Sequence, residues 1–333
     1  MKTLLLISLV INTLFGATLK IATYNVENLF DLKRSGYEYK EYIPYTKANW
    51  NDRTYKIKLH NIAKVIKDIN ADIIALQEIE SLQALKDLRY TLKRMGLYYQ
   101  YYKIADLKNT TVKVAILSKI PFVSTTEIAV TASYKYRNIL EAKFKIGNEY
   151  LYLLVNHWKS KAGPESMRIV SAKKLQQRVQ ELGIDKNIIA LGDFNSDYEE
   201  YKHFRRKRKL NDTNGITGIN YILGTINYQS SSENTKISKG DFYNLWYDEG
   251  DREKRFSYKY RGKKEAMDSI LITTALLDKK GLDYKHGTIH SLQKPYLFRK
   301  KSIHRWYIKW GKTRRHYGSG YSDHLPVIAE FTY

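Results

Sequence analysis

The chain has 333 residues, of which 43% are hydrophobic, so it can bury a sizeable core. Its 57 Lys and Arg against 34 Asp and Glu give a formal net charge of +23, and it contains no cysteine. The absence of cysteine excludes thiol nucleophiles, zinc–thiolate sites and a lipid anchor on an amino-terminal cysteine.

The large excess of positive charge predicts a polyanionic partner. Nucleic acid is the first candidate and an anionic membrane surface is the second, while a merely soluble basic protein is a third possibility. The 29 tyrosines favour nucleic acid over the third possibility, because a surface rich in lysine and tyrosine can contact phosphate and stack on sugars or bases.

The amino terminus is typical of a secretory signal peptide. Met1-Lys2-Thr3 precedes an apolar run from Leu4 to Phe15, and small residues follow at Gly16 and Ala17. We expect cleavage near these two residues and export to the periplasm or to the outside of the cell. The lack of cysteine fits export, because a protein without cysteine needs no disulfide bonds in an oxidising compartment. A buried first strand or an uncleaved anchor is the alternative, but a core-like strand begins only afterwards, at Leu19.

Residues 1–17 are therefore predicted to be a signal peptide, and residues 18–333 to form a single domain without repeats or linkers. Segments whose apolar residues recur at helical spacing alternate with short buried strands along this domain. Gly147-Asn148 is typical of a hairpin turn. The predicted strands are 19–26, 71–76, 112–117, 139–146, 150–156, 187–191, 270–273 and 325–331. The predicted helices are 59–69, 81–95 and a segment that opens at Pro164, while 31–54 and part of 211–264 are expected to be loop. This order predicts an α/β fold with two packed sheets and helices outside.

Short polar groups stand at the ends of six predicted strands. They are Asn25 with Glu27, Gln77 with Glu78, Asn156 with His157, Asp193 with Asn195, Asp268 after Met267, and Asp323 with His324. Each group alone is explained by a solvated loop, a turn or a surface histidine. Six such groups against buried strands predict that the side chains converge on one cleft, since α/β proteins place their sites at strand ends.

The residue types in these groups indicate the chemistry. Carboxylate and amide oxygens are hard ligands that suit Mg²⁺, Mn²⁺ or Ca²⁺, and histidine can act as acid or base near neutral pH. No glycine-rich phosphate loop is present, which argues against a nucleotide cofactor, and no Gly-x-Ser-x-Gly elbow is present, which argues against a serine hydrolase. A hard metal with two histidines under a basic surface predicts attack of water on a phosphate ester.

Six motifs resemble those of the endonuclease/exonuclease/phosphatase superfamily, which includes the pancreatic-type deoxyribonucleases. The motifs are Thr23–Asn28, Leu76–Glu78, Asn156–Trp158, Gly192–Ser196, Met267–Ile272 and Ser322–Val327. They occur in the order of that superfamily, and residues 27–31 and 156–161 are most similar to its bacterial secreted nucleases. The resemblance implies a four-layer α/β sandwich, in which two mixed β-sheets pack face to face with helices outside.

The resemblance also implies roles at a metal centre. Glu78 would be the principal metal ligand, with help from Asn25 and Asp323. His324 would be the general base that activates water, and Asp268 would orient it.

Three more residues have roles implied by the resemblance. Asp193 and Asn195 would position the nucleophile and bind the phosphoryl group or a second metal. His157 would contact the scissile phosphate and could protonate the leaving oxygen.

Two basic segments are expected to favour DNA over the inositol phosphates and sphingomyelin that the superfamily also cleaves. Tyr201–Leu210 contains six basic residues in ten, and residues 294–315 contain nine Lys or Arg, no acid and several large aromatic residues. A solvated helix face is the alternative for the first segment and a mobile loop for the second. The resemblance implies that Arg137 contacts substrate, and the other residues expected to do so are Lys159, Lys161, Arg305 and Trp306.

These observations predict an exported, monomeric phosphodiesterase that uses Mg²⁺, or Mn²⁺ or Ca²⁺, to hydrolyse DNA as a non-specific endonuclease, with RNA as a further possible substrate. One alternative is a phospholipase C or sphingomyelinase whose Trp306 and Trp310 enter a membrane interface. Another is a non-catalytic DNA-binding or adhesion protein, although the complete polar set argues against it.

Overall fold

The computed structural model of the protein describes residues 16–204, 208–228 and 240–333. The predicted signal peptide therefore lies outside the described residues except for its last two, and the basic segment 201–210 is described only in part. Within the described ranges, no helix is both long and apolar enough to cross a membrane.

The helices lie at the beginning and middle of the chain, and the strands are spread over its whole length. The helices are α1 Asp52–Ile69, α2 Leu82–Arg94, α3 Glu165–Leu182 and the short α4 Glu200–His203. The first strands are β1 Thr18–Leu29, β2 Ile73–Ile79, β3 Tyr101–Ile104, β4 Lys113–Ser118, β5 Phe122–Ile128, β6 Ile139–Ile146, β7 Glu149–His157, β8 Asn187–Asp193 and β9 Tyr243–Asn244. The remaining strands are β10 Tyr258–Tyr260, β11 Lys263–Glu265, β12 Asp268–Ile272, β13 Asp283–Tyr284, β14 His290–Ser291, β15 Phe298–Arg299, β16 Ser302–Ile303, β17 Ile308–Lys309, β18 Arg315–His316 and β19 Val327–Thr332.

Two mixed sheets carry most of these strands. The first has the order β13-β19-β1-β2-β4-β3, with β14 also paired to β19, and the second has the order β5-β6-β7-β8-β12-β9. Within each sheet one pair is parallel, β1 with β2 and β7 with β8, while the other pairs are antiparallel. Outside the sheets, β10–β11, β15–β16 and β17–β18 form small hairpins.

The apolar side chains define four layers, because alternate residues of a strand point to opposite faces. In β1, Tyr24 and Val26 face α1 and α2, whereas Leu19 and Ile21 face the second sheet. The helix α3 covers the outer face of the second sheet through Leu175 and its apolar neighbours. The predicted four-layer sandwich is thereby confirmed.

The local sequence explains where the helices begin. Asn51 and Thr54 form a capping box at the start of α1, in which the Asn51 side chain accepts from the Thr54 N–H at 3.2 Å and Thr54 Oγ1 accepts from the Asn51 N–H at 3.0 Å. The expectation that residues up to 54 are loop was therefore wrong for the first turn of α1. Pro164 stands at the amino-terminal cap of α3, as predicted.

The register of the strands brings the predicted polar groups to one edge. The parallel pairs end together, so that Asn25 lies beside Gln77 and His157 lies beside Asp193. Asp268 opens β12 directly opposite Asp193, because β12 runs antiparallel to β8. Gly192 allows β7 and β8 to approach closely at this edge, since a Cβ there would lie 2.0 Å from the carbonyl oxygen of Asn156.

The segment 294–315 is folded as two hairpins rather than as a mobile loop. Trp306 is only 1% exposed and packs in the same core cluster as Trp50, next to α1. Its indole N–H donates to Nδ1 of His316 at 2.8 Å, and the Nε2–H of His316 donates to the backbone carbonyl of Glu41 at 2.8 Å. The first hydrogen bond requires a neutral imidazole, because a protonated Nδ1 cannot accept.

This geometry predicts a loss of stability in acid. Burial lowers the pKa of His316 to about 4, against about 6.5 in an unfolded chain. Between these values the unfolded chain takes up a proton that the folded protein does not, so the contribution of His316 is complete above about pH 6.5 and is lost as the pH falls to about 4. The loss can reach about 3 kcal/mol.

The measurement is urea unfolding at about pH 7 and about pH 5, for which the pKa shift predicts a loss of about 2 kcal/mol at His316. Wild type should lose more unfolding free energy between the two pH values than His316→Asn does. The exposed His290, changed to Asn, is the control and should behave like wild type. Equal pH dependence in wild type and His316→Asn would contradict the assignment.

Candidate active site

The predicted polar groups meet at the shared edge of the two sheets. Asn25, at the end of the regular β1 register, donates its side-chain amide to Glu78 Oε1 at 3.2 Å and to Asp193 Oδ2 at 3.0 Å. His157 lies beside the same oxygens, with Nε2 at 3.8 Å from Glu78 Oε1 and 3.6 Å from Asp193 Oδ2. These four side chains, far apart in the sequence, therefore form one cluster.

A histidine–aspartate pair completes the cluster. His324 Nδ1 lies 2.6 Å from Asp268 Oδ2, and both residues are buried. The Asp268 carboxylate accepts the Nδ1–H, which fixes the tautomer and leaves Nε2 as the basic nitrogen. The His324 backbone N–H is held at 3.1 Å by Ser322, whose hydroxyl in turn donates to the Asn25 carbonyl at 2.7 Å.

Asn195 folds back onto Asp193 through a left-handed turn. Its φ is 48°, and it is held there because its backbone N–H donates to Asp193 Oδ1 at 2.8 Å and its side-chain amide donates to Asp193 Oδ2 at 3.1 Å. Glu78 also has a positive φ, 66°, which bends the end of β2 towards the cluster. Strained backbone of this kind is typical of functional sites.

The carboxylates at this edge are poorly compensated by positive charge. Burial, and then Asp323, raises the pKa of Glu78. Burial also raises the pKa of Asp193; His324 opposes this rise, and the neighbouring Asp268 and Glu78 add to it. The site therefore favours an added cation.

The pKa values of the two histidines are shifted in opposite directions. Burial lowers the pKa of His157, with a further contribution from Arg137 and His324. Burial also lowers that of His324, but the carboxylates of Asp268 and Asp193 outweigh it and raise the pKa well above its ordinary value. A divalent cation among these carboxylates would oppose that rise and favour the neutral imidazole that a general base needs.

The donor set fits a hard divalent metal. Glu78, Asn25, Asp193 and Asp323 supply carboxylate and amide oxygens, as Mg²⁺, Mn²⁺ and Ca²⁺ prefer. Within the described part of the chain, one group of three acidic or histidine side chains has ligand atoms within 4.8 Å of one another: Asp193, Asp268 and His324. Asp268 Oδ1 is buried and has no hydrogen-bond partner, so this group too could hold a cation.

Glu27 connects the site to the hairpin segment, a connection that the sequence did not reveal. Its carboxylate accepts from the Arg305 guanidinium, at 2.9 Å from Nε, and from the Trp306 N–H at 2.9 Å. Arg305 Nη2 also lies 3.2 Å from Asp323, a predicted metal ligand. Buried Lys58 donates to the Glu27 carbonyl at 2.9 Å.

Tyr39 is a second residue of the site that sequence reasoning missed, because it lies in a loop without periodicity. Burial raises the pKa of its hydroxyl and the charge of Glu78 adds to the rise, while the charge of Arg137 opposes it. Arg137 also donates to the Trp158 carbonyl at 3.2 Å. Arg137 thus contacts the residue that follows His157, and its contact with substrate stays a prediction.

Two predicted substrate contacts are corrected by the structure. Trp306 is buried in the core and cannot stack on a substrate or enter a membrane. Lys161 is mostly buried between two acids, with Nζ 2.6 Å from Glu200 and 3.0 Å from Glu265. Lys159 remains half-buried on the loop after His157.

Residues 20–224 match the model of the endonuclease/exonuclease/phosphatase family, and the chain belongs to that family. Its members are hydrolases that act on phosphodiester bonds, and its nucleases use divalent metals. No curated protein sequence matches the chain.

Several solved structures share the fold. A humanized D. rerio TDP2 has a TM-score of 0.59 at 15% identity, over 95% of this chain and 99% of the other. The D. rerio TDP2 complexed with a single-strand DNA product has a TM-score of 0.57 at 14% identity, over 95% and 100%. An AP endonuclease from Archaeoglobus fulgidus has a TM-score of 0.58 at 16% identity, over 93% and 98%.

The correction for Lys161 is testable by its effect on stability. Lys161→Met keeps most of the apolar volume but leaves the buried Glu200 without a cation, while Glu265 keeps Lys263 at 2.7 Å. We expect it to lower the unfolding free energy by about 3–5 kcal/mol in urea denaturation. Lys159→Met is the matched control and should cost less than about 1 kcal/mol; equal effects of the two changes would refute the structural role.

Proposed function

We propose that this protein is a metal-dependent phosphodiesterase that hydrolyses DNA with little sequence preference. The observation that carries the proposal is the convergence of Glu78, Asp193, His157 and the Asp268–His324 pair at one edge of the sandwich. These side chains offer a metal site, a base and a phosphate contact within one cluster.

Glu78, Asn25 and Asp323 are the residues proposed to hold a Mg²⁺, Mn²⁺ or Ca²⁺ ion, with Asp193 next to them. A bound divalent ion supplies charge neutralisation at the phosphate and makes a nearby water more acidic. Arg305 positions Asp323 through its 3.2 Å contact.

His324 is proposed to take the proton from the attacking water at Nε2. Asp268 supports this role, because it accepts the Nδ1–H and stabilises the imidazolium that forms. Asn195 and Asp193 would hold the water and a phosphate oxygen next to this nitrogen.

His157 is proposed to contact the scissile phosphate as a neutral hydrogen-bond donor. Its lowered pKa favours this contact over the donation of a proton to the leaving oxygen, which needs the imidazolium form. Arg137, which lies close enough to depress the pKa of His157, would add a positive charge at the phosphate.

DNA is the preferred substrate because the net charge of +23 favours a polyanion. Two of the proteins with a similar fold are described as binding DNA or as an AP endonuclease, which is compatible with this choice. RNA is a further candidate substrate, because the same reaction would hydrolyse its phosphodiester bonds.

The function is tested by incubating the purified protein with supercoiled plasmid and Mg²⁺, Mn²⁺, Ca²⁺ or chelator. We expect metal-dependent nicking, with a loss of about 10²–10⁴-fold in His324→Ala, which lacks the base. Glu78→Gln should lose at least as much, because it weakens the metal site. His290→Ala and Glu253→Gln, at exposed positions, are the controls and should keep wild-type rates.

Three results would contradict the proposal in different ways. Near wild-type nicking by His324→Ala would reject the base. Hydrolysis of phospholipid vesicles without cleavage of plasmid would indicate a phospholipase that acts on membranes. Metal-independent DNA binding without cleavage would indicate a binding protein.

Export is a separate part of the proposal and rests on the amino-terminal sequence. We expect the chain recovered from outside the cytoplasm of producing cells to start just after Gly16 or Ala17, as signal cleavage after small residues requires. Amino-terminal sequencing of that fraction is the measurement. An intact Met1 on the exported protein, or its retention in the cytoplasm, would refute the signal peptide.

A further inference from the structure

We propose that the hairpin Tyr307–Tyr317, called here the tryptophan hairpin, binds an unpaired nucleobase and its phosphate beside the catalytic centre. This inference rests on the proposed function and specifies its substrate as a polynucleotide that is single-stranded at this point. The hairpin contains β17 and β18, with Trp310 in the turn between them.

Trp310 is the exposed tryptophan of the protein. Its side chain is 73% exposed, whereas the other four tryptophans are at most 2% exposed. The Arg314 guanidinium lies 3.9 Å from the centre of the Trp310 ring, and Arg314 is itself held at 2.6 Å by Glu41. The indole is therefore braced on one side by a fixed cation and open to solvent elsewhere, as a stacking platform requires.

The charge around the platform suits a phosphate backbone. Lys309, Lys312 and Arg315 are at or near the turn, and residues 294–315 contain no acid. Glu41 is the nearby carboxylate, and it is engaged by Arg314. The half-exposed rings of Tyr307 and Tyr317, 5.2 Å apart, add a second aromatic surface with hydroxyl groups.

A cavity lies between the tryptophan hairpin and the loop that carries Tyr39. It has a volume of about 540 Å³ and is lined by Tyr39, Lys40 and Glu41 on one side and by residues 311–314 on the other. The hairpin is joined to the catalytic cluster through Arg305, two residues before Tyr307, whose Nη2 lies 3.2 Å from Asp323. We expect a strand bound at the cluster to continue along this side of the protein and to place a base on Trp310.

An unpaired base fits this surface better than a duplex or a membrane does. Bases within a duplex stack on each other and do not offer their faces to an indole. A membrane anchor needs several apolar side chains, but Ile308 packs against the core and the other exposed rings of the hairpin are tyrosines.

The test uses full-length mature protein in chelator, so that binding is measured without hydrolysis. The probes are a fluorescent oligothymidylate and a duplex of the same length, with tryptophan emission as a second readout. In wild type the single strand should quench the emission, because the exposed indole is the one that a base can reach. Trp310→Ala should abolish the quenching and weaken single-strand binding by about 5-fold to about 150-fold.

Two further variants separate stacking from charge. Tyr90→Ala removes a ring that is 63% exposed on α2 and should bind like wild type. Lys312→Gln should weaken binding of both probes. It should also reduce the slope of the logarithm of the binding constant against the logarithm of salt concentration by the amount expected for about one phosphate contact. Trp310→Ala should leave this slope unchanged.

The inference is overturned by unchanged binding in Trp310→Ala or by equal losses for single strand and duplex. It is also overturned if vesicles containing phosphatidylglycerol, but not the oligonucleotide, change the Trp310 emission. The binding assay contains no metal. It therefore tests base binding by Trp310 even if the protein hydrolyses DNA with none of the metals. A protein that nicks plasmid but shows no stacking keeps its proposed function and loses only this site.

Discussion

The crowding of buried carboxylates at one edge of the two sheets is the constraint on which the site depends. The register of β8 with β12 forces Asp193 and Asp268 to be opposite each other, and Asn25 brings Glu78 to the same place. Burying like charges together is costly. The protein tolerates that cost because the backbone of the sandwich fixes these positions and because a cation can relieve it.

Several buried acids elsewhere in the protein are paired with Lys or Arg. Lys161 neutralises Glu200 and Glu265, Arg168 neutralises Glu165, and Arg178 neutralises Glu141. At the candidate site, in contrast, the ion-pair partner of both Glu78 and Asp193 among the described residues is His157. This contrast is a physical reason to propose metal binding at the edge and structural roles for Glu141, Glu165, Glu200 and Glu265.

The hairpin segment after β14 is joined to the same edge. Glu27 accepts from Arg305 and from the Trp306 backbone, and Arg305 reaches Asp323, so one network holds the segment and a proposed metal ligand in place. The buried Trp306 and the neutral His316 fix the base of the tryptophan hairpin. The exposed Trp310 therefore has a defined position relative to the site and does not depend on a mobile loop.

The sequence by itself determined the strand-end groups around Asn25, Glu78, Asp193 and His324, and with them the family and the fold. It could do so because strand periodicity and short motifs are local properties of the chain. It misassigned Trp306 and Lys161 and offered no signal for Tyr39. Only the tertiary structure decided that Trp306 is buried while Trp310, four residues later, is exposed. The reason is that burial and charge pairing depend on partners far away along the chain, such as Glu265 for Lys161, whereas composition records only that a basic or aromatic residue is present.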